Sequence, residues 1–223
     1  MANNSKKWVW PANLIMFVGI SVFLVISCAQ NVVTKKDKKL LEQAQADFGP
    51  LPSNDINVEE NEELIHLGKK LYFEKKLSVN NQVSCNTCHD LENYGVDNEP
   101  TSPGHDGTRG PRNSPTVYNA SLHIAQFWDG REPDVESQAL GPILNPIEMG
   151  MPSAEAVVKK VKKLDEYPKL FEKAFPKQEA PLKFENIGKA IGAYERTLLT
   201  PSRFDDYLEG DVHALTTEER KGL

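Results

Sequence analysis

The residues best equipped for chemistry are two cysteines and a histidine in the pattern Cys85-x-x-Cys88-His89. Two thiols at this spacing reach the two vinyl groups on one edge of a porphyrin and form thioether bonds with them. The histidine after the second cysteine then lies over the ring, where its imidazole ligates the iron. The motif therefore predicts covalently attached haem c with His89 as an axial ligand. In such a site the iron porphyrin supplies the redox chemistry, and the chain controls the sixth position and access to it.

Three other interpretations of the cysteine pair are weaker. A zinc site needs four ligands, and no second Cys/His pair stands at zinc spacing in the sequence. A thioredoxin-like redox pair lies between a strand and a helix, whereas the polar residues around Cys85 and Cys88 predict a turn. A disulfide between Cys85 and Cys88 is the third alternative, although it would restrain little of the chain. Haem attachment is therefore the preferred interpretation.

The composition is that of a soluble protein with a core and many loops. The chain has 223 residues, 39% of them hydrophobic and 26% charged, which suits one sizeable domain or two small ones. Its net charge is −6, and no Lys/Arg cluster is interleaved with aromatic residues, so nucleic acid is not an expected partner. The third cysteine, Cys28, lies far from the pair. No cysteine remains for a structural disulfide or a second haem.

The N-terminus, residues 1–27, predicts an export signal. Lys6 and Lys7 precede an apolar run over 14–26 that is short for a membrane span. The run ends in the letters VISC, which resemble a bacterial lipoprotein box in which Cys28 is lipidated and becomes the first residue. An uncleaved N-terminal anchor is the alternative. Both interpretations place the rest of the chain outside the cytoplasm, and we expect it in the periplasm, anchored to the membrane by lipid.

Residues 28–58 predict a tether between this anchor and the folded part. The segment contains a basic cluster and a Gly-Pro-Leu-Pro stretch over 49–52 that cannot continue a helix. We interpret the cluster as part of a solvated linker, and attraction to a membrane surface is the alternative. The lysines concerned are Lys35, Lys36, Lys38 and Lys39.

The remaining chain predicts an all-α fold, because apolar residues recur at helical spacing and no segment alternates as a strand would. Leucines at i, i+3 and i+7 predict a helix within 59–76, where Gly68 would permit close approach by another element, the haem edge included. Ser153 is a predicted N-cap for the next helix. Three apolar stripes predict further helices over 154–164, 167–174 and 184–198.

Several residues between these helices are candidates for chemistry. His105, on a long glycine-rich loop, could approach the iron in one state and leave it in another, or lie at the surface. We interpret Trp128 as a core anchor in preference to an oxidisable group on an electron path. Met149 or Met151 could ligate iron. Glu148 stands among apolar residues and, if buried, would have a raised pKa suited to moving protons, whereas an exposed loop glutamate is the default.

The C-terminus begins a helix that the chain does not complete. Thr216 and Glu219 form a capping box, yet the sequence stops at Leu223, one turn later. So short a helix buries nothing and is unstable by itself. We therefore expect a haem domain over 59–215, followed at 216–223 by the first turn of a truncated second domain.

The chain from Ile56 to Leu223 resembles the N-terminal half of bacterial di-haem cytochrome c peroxidases. The resemblance is carried, in order, by VSCNTCHD, GHDGTRGPRNSPTVYNA, AQFWDGR, NPIEMG and AIGAYERTLLTPSRFDDYL. It implies an all-α, cytochrome c-like fold with long irregular loops. It also implies reduction of hydrogen peroxide to water, with one haem c in this chain and two in the full enzyme.

The resemblance also assigns roles to individual residues on the haem. Cys85 and Cys88 would hold it and His89 would be its proximal ligand. His105 matches the distal histidine that occupies the sixth position in the resting oxidised enzyme and departs on activation.

Four more residues match positions around the family's haem. Glu148 matches the acid/base glutamate of the peroxide site, and Gln138 matches a glutamine of the same pocket. Trp128 matches the tryptophan between the two haems, and Asn113 matches a ligand of an inter-domain calcium ion.

The implied partners are a small cytochrome c or copper protein as electron donor, and a second copy of the chain in a homodimer. The second Cys-x-x-Cys-His of the family is expected after Leu223. A lipid-anchored mono-haem electron carrier, with Met149 or Met151 as a permanent ligand, is the main alternative. A haem oxidase like the methylamine-utilisation maturation enzymes and a haem-free interaction domain are the others.

Overall fold

The computed structural model describes residues 33–223, and the predicted export signal and Cys28 lie outside them. In this part of the chain every regular element is helical, with two isolated bridges and no strand, which confirms the all-α prediction. Short 3₁₀ turns cover Lys75–Leu77 and Ala120–Leu122. The α-helices are α1 (Lys35–Asp47), α2 (Glu62–Tyr72), α3 (Cys85–Cys88), α4 (Val135–Gln138), α5 (Leu140–Leu144), α6 (Ala154–Val161), α7 (Tyr167–Ala174), α8 (Phe184–Glu195), α9 (Arg203–Leu208) and α10 (Thr217–Lys221).

The chain divides into two compact units. Leu51–Pro201 forms the larger one, and Ser202–Leu223 joins the described part of residues 1–50 in the smaller one. These limits differ from the haem domain expected over 59–215, because residues 202–215 pack with α1 instead. All the residues predicted to surround the haem lie in the larger unit.

The larger unit is built around the contact between α2 and α8. Acidic residues in the first turn of α2 and lysines in its last turn both complement the helix dipole. Gly68 lies where the two helices meet, and a Cβ added to it would stand 1.7 Å from the Ala190 carbonyl oxygen. The expected close approach at Gly68 is therefore present, but α8 makes it and not a haem edge.

Replacing Gly68 with alanine is expected to lower the free energy of unfolding by about 2–3 kcal/mol, because the backbone of α8 cannot move aside cheaply. Urea denaturation would measure the loss. Gly110→Ala is the matched control, since nothing lies within 4 Å of a Cβ added there. A Gly68→Ala protein as stable as the wild type would contradict the proposed packing.

The three later stripes form α6, α7 and α8, as predicted. The Ser153 hydroxyl accepts a hydrogen bond from the Ala156 N–H at 3.2 Å and so caps α6. The helices predicted over 154–164 and 184–198 both end earlier, at Val161 and Glu195 respectively. The stripes supply buried core residues, among them Val157, Val161, Phe171, Ile187 and Ile191.

In the smaller unit a helix replaces the expected tether. Thr34 and Asp37 form a capping box that starts α1, and the Gln45 side-chain amide donates to the Leu208 carbonyl at 2.7 Å. Ala44 is buried against α9 and the segment that follows it. The segment predicted as a tether over 28–58 therefore contains a helix that the sequence analysis did not predict. The sequence analysis gave weight to the exposed lysines of this segment and overlooked the narrow apolar stripe on the opposite side of α1, which packs in the core of the smaller unit.

The capping box predicted at the C-terminus is confirmed. The Thr216 N–H donates to the Glu219 carboxylate at 2.7 Å, and the Glu219 N–H donates to the Thr216 hydroxyl at 3.2 Å. No residue of α10 is buried, as expected. Polar contacts hold the helix in the smaller unit, including one from the Arg220 guanidinium to the Val212 carbonyl at 2.8 Å.

Candidate haem site

The haem motif lies on a single turn of helix, α3, that its own side chains stabilise. The Ser84 N–H donates to the Thr87 hydroxyl at 2.9 Å, which fixes the start of the turn. The His89 N–H closes it by donating to the Cys85 carbonyl at 2.9 Å. The turn places Cys85, Cys88 and His89 together on the wall of one cavity.

This cavity lies within the larger unit and measures about 420 Å³. Ligand pockets in proteins span roughly 300–1,000 Å³ and are mainly apolar with a few polar groups. The predicted site residues Gln138, Glu148, Trp128 and Asn113 line the same cavity as the motif. Elements far apart in the sequence therefore meet at the cavity that contains the motif.

His89 is prepared for a role as a metal ligand. Its Nδ1 lies 2.9 Å from the Pro115 carbonyl oxygen, an acceptor, so Nδ1 carries the hydrogen and Nε2 keeps its lone pair. Burial lowers the pKa of the imidazole, which favours its neutral, ligating form. The Tyr72 hydroxyl also donates to the His89 carbonyl at 2.6 Å.

The two cysteines are free thiols in a setting that suppresses thiolate chemistry. Burial raises the pKa of both, and the nearby Glu195 carboxyl adds to the effect at Cys85. A thioredoxin-like nucleophile needs a lowered pKa, so this interpretation is disfavoured. Two free thiols and a neutral imidazole around an apolar cavity fit haem c.

The described residues contain no group of three or more His, Cys, Asp or Glu side chains that could hold a metal ion. The Asn113 side-chain amide donates to the Glu99 carbonyl at 2.8 Å, so one side of it is already engaged.

Glu148 is held at the cavity wall by its neighbour. Its Oε1 accepts a hydrogen bond from the Asn145 side-chain amide at 2.8 Å, and Asn145 in turn accepts from the Ile147 N–H at 3.0 Å. Burial raises the pKa of the Glu148 carboxyl, while Arg131 and Asn145 oppose the rise. The carboxyl is thus a half-buried acid facing the cavity, and the default interpretation as an exposed loop residue is wrong.

A charged cluster beside Glu148 was not predicted. The Arg131 guanidinium lies 3.4 Å from the centre of the Phe127 ring and 2.7 Å from one oxygen of Asp129. The second oxygen of Asp129 accepts from Arg112 at 2.8 Å. The AQFWDGR motif already contained this loop, but its letters did not show which side chains face the cavity.

Trp128 is not a core residue. Its side chain is 65% exposed, and its indole N–H donates to the Asn113 carbonyl at 2.9 Å. The preferred interpretation of Trp128 as a core anchor is therefore wrong. Since Trp128 both lines the cavity and meets solvent, it lies at the cavity opening.

His105, predicted as a distal haem ligand, does not line the cavity in this structure. The ring Nε2 lies 3.0 Å from the Pro146 carbonyl oxygen. The backbone N–H of His105 donates to the Glu148 carbonyl at 2.7 Å. The ring covers Gly150, where an added Cβ would stand 2.5 Å from ring atoms. Of the two candidate methionine ligands, Met149 lines the cavity and Met151 does not.

Glu195 lines the cavity too, and sequence reasoning missed it. Its side chain is 6% exposed at the end of α8, and no hydrogen bond or ion pair joins its carboxyl to any described residue. Burial and then the nearby Glu136 raise its pKa to about 8. The adjacent Arg196 does not neutralise it, because its guanidinium binds Glu136 at 2.7 Å and Asp55 at 2.6 Å.

Glu195→Gln is expected to remove a pH dependence of stability. Because the folded pKa of about 8 exceeds the ordinary 4.5, the folded state binds the extra proton between these values, and stability falls as the pH rises through this window. The loss in the wild type is on the order of 4 kcal/mol. Urea denaturation at pH 5 and pH 8.5 measures it, with Glu185→Gln on the exposed side of α8 as control. Equal pH dependence in all three proteins would refute the assignment.

Comparison with known proteins gives a consistent result. Residues 62–213 match the family model described as di-haem cytochrome c peroxidase. The chain is 47% identical over 188 residues to the cytochrome c551 peroxidase of Pseudomonas aeruginosa, an alignment covering 82% of this chain and 54% of that protein. It is 45% identical over 164 residues to the cytochrome c551 peroxidase of Nitrosomonas europaea, covering 73% and 48% respectively. The chain thus spans about half the length of these relatives.

A solved structure extends the similarity to the fold. The crystal structure of a MauG-like protein associated with microbial copper homeostasis superposes with a TM-score of 0.67 and 32% identity. The match covers 77% of this chain and 51% of that one. The chain therefore shares its all-α, cytochrome c-like fold with a solved structure.

Proposed function

This chain belongs to the di-haem cytochrome c peroxidase family, and on that premise we propose that it is the haem-bearing half of an enzyme that reduces hydrogen peroxide to water. The observation that carries the proposal is the position of Glu148. An acid with a raised pKa lies on the wall of the cavity that also holds two free thiols and a neutral histidine. An electron carrier has no need of such an acid.

The proposed reaction takes up two electrons and two protons for each peroxide and releases two waters. Haem c, bound through Cys85 and Cys88 and ligated by His89, would supply the redox-active iron. Glu148 would take a proton from one peroxide oxygen and return it to the other. Its hydrogen bond from Asn145 keeps the carboxyl oriented, and Gln138 on the same wall would offer its amide to the substrate.

We assign His105 the role of a removable sixth ligand. Glycines at 104 and 107 flank it, and Gly107 has a φ of +86°, which gives the loop turns that other residues rarely adopt. In the described conformation the ring is turned to Pro146 and leaves the cavity free. A loop that holds His105 away from the cavity would leave a bound haem open to peroxide, and a loop that carries His105 into the cavity would close the site.

Electrons would enter from a second haem in the remainder of the protein, which in turn receives them from a small cytochrome c or copper protein. Trp128 lies at the cavity opening, where an aromatic ring would shorten the path between two haems. We also propose that Asn113, whose carbonyl binds Trp128, contributes to a calcium site together with residues of a second haem domain.

The predicted export signal and the VISC letters support the proposal of a periplasmic, lipid-anchored enzyme. Among the described residues no helix is long and apolar enough to cross a membrane. A homodimer is the assembly that we would test first, by light scattering.

The test is peroxide consumption by the haem-loaded protein, extended to its full length and supplied with a reduced donor. Oxidation of two donor molecules for each peroxide is expected. The second candidate, a mono-haem carrier, has one observation in its favour, since Met149 lines the cavity. Absorption and electron paramagnetic resonance spectra separate the two functions. A haem with His and Met ligands in both redox states, and no peroxide consumption, would overturn the peroxidase assignment.

A further inference from the structure

We propose that Glu195 is a proton-binding residue of the haem cavity, which takes up one proton when the haem receives one electron. The inference deepens the proposed function and rests on it for the presence of haem. Its starting point is a side chain that neither the motif nor the Glu148 site uses, although it lines the same cavity.

The position of Glu195 explains why its charge would respond to the haem. The residue closes the last turn of α8, a helix that is buried along most of its length, so the carboxyl cannot swing into solvent. It lines the same cavity as Cys85, one of the two haem attachment points, and its charge raises the pKa of that thiol. A haem held by Cys85 would therefore lie against Glu195. Charges that meet in a protein interior interact several times more strongly than in water.

Within residues 33–223, no cation forms an ion pair with Glu195. The groups that interact with it electrostatically are Glu136 on α4, Cys85 on α3 and Tyr72 on α2, and each is neutral or negative. The guanidinium of the neighbouring Arg196 forms ion pairs with Glu136 and Asp55 and none with Glu195. The charge on the iron would thus be the largest change that Glu195 experiences.

The step balances in charge and in atoms. A one-electron redox protein passes an electron to the haem, and the iron goes from the ferric to the ferrous state. A hydronium ion from solvent gives its proton to a carboxylate oxygen of Glu195, so the net charge of the cavity is unchanged. On oxidation the proton returns to water. By linkage, each event favours the other to the same extent.

The experiment is a spectroelectrochemical titration of the haem-loaded chain between pH 5 and pH 9. We expect the wild-type midpoint potential to fall as the pH rises, with an uptake approaching one proton per electron near the middle of the range. In Glu195→Gln most of this slope should disappear. Glu185→Gln is the matched control on the same helix and should keep the wild-type slope.

Two outcomes would overturn the proposal: a slope that persists in Glu195→Gln, or a wild-type potential that is independent of pH. Infrared difference spectra of the wild type, between its reduced and oxidised states, give a second measurement that needs no variant. They should show a protonated carboxyl appearing on reduction, and its absence would also count against Glu195. Peroxide is not used in either measurement. If only the peroxidase assignment fails, the dependence of the potential on pH remains.

Discussion

Glu148→Gln is expected to lower peroxide turnover of the full-length, haem-loaded protein by about 10²–10⁴-fold, the usual contribution of a positioned acid/base group. Glutamine keeps the size of the side chain and can still accept from Asn145, so the loop should stay in place. It cannot accept and return a proton, however. Haem content, measured by the pyridine haemochrome absorbance, should therefore equal that of the wild type.

The pH profile gives this prediction a second, independent measurement. Burial raises the pKa of Glu148, so the range in which the carboxylate acts as a base begins at a higher pH than for an exposed glutamate. The acidic limb of kcat/KM should report this group in the wild type. Glu92→Gln, which changes an exposed carboxyl in the loop after the haem motif, should leave both rate and profile unchanged. A Glu148→Gln enzyme with near wild-type turnover would remove Glu148 from the reaction.

The double variant Cys85→Ala, Cys88→Ala is expected to lose covalent haem completely. The two thiols are the only cysteines in the larger unit, and each forms one thioether bond to the porphyrin. Haem staining after denaturing electrophoresis, together with the intact mass, measures the loss. The single variants should retain a weaker stain through the remaining bond.

Thr87→Ser is the control for the cysteine variants, because it alters the residue between the cysteines and keeps the hydroxyl that caps α3. Its haem content should match that of the wild type. Haem that stays with the double variant through denaturation would show attachment at another residue, and the haem assignment of the motif would then be wrong.

Much of the fold could be predicted from local patterns. The stripes of α6, α7 and α8 and the capping boxes are properties of short segments, so propensity and spacing were sufficient for them. α1 was missed because four lysines dominate its first two turns, while its partner, α9, lies far away in the sequence. A narrow apolar stripe stabilises a helix only when another element of the fold buries it.

At the site too, local patterns predicted the residue types, whereas contacts between distant segments decided which side chains are buried. Trp128 has a large aromatic side chain of the kind that usually lies in a core, yet in this fold it lies exposed at the cavity opening. Gly68 correctly indicated a close approach, but the identity of the approaching element depended on the crossing of α2 and α8.

The sequence by itself determined the features on which the proposed chemistry rests: a Cys85-x-x-Cys88-His89 motif, and an acid, Glu148, in a family segment. These are local features, and each can be recognised within a few residues. Only the tertiary structure decided that His105 lies against Pro146, and that Glu195 lines the cavity of Cys85 with no ion pair to another described residue. The physical reason is that ionisation and exposure depend on which distant groups surround a side chain, and folding alone brings those groups together.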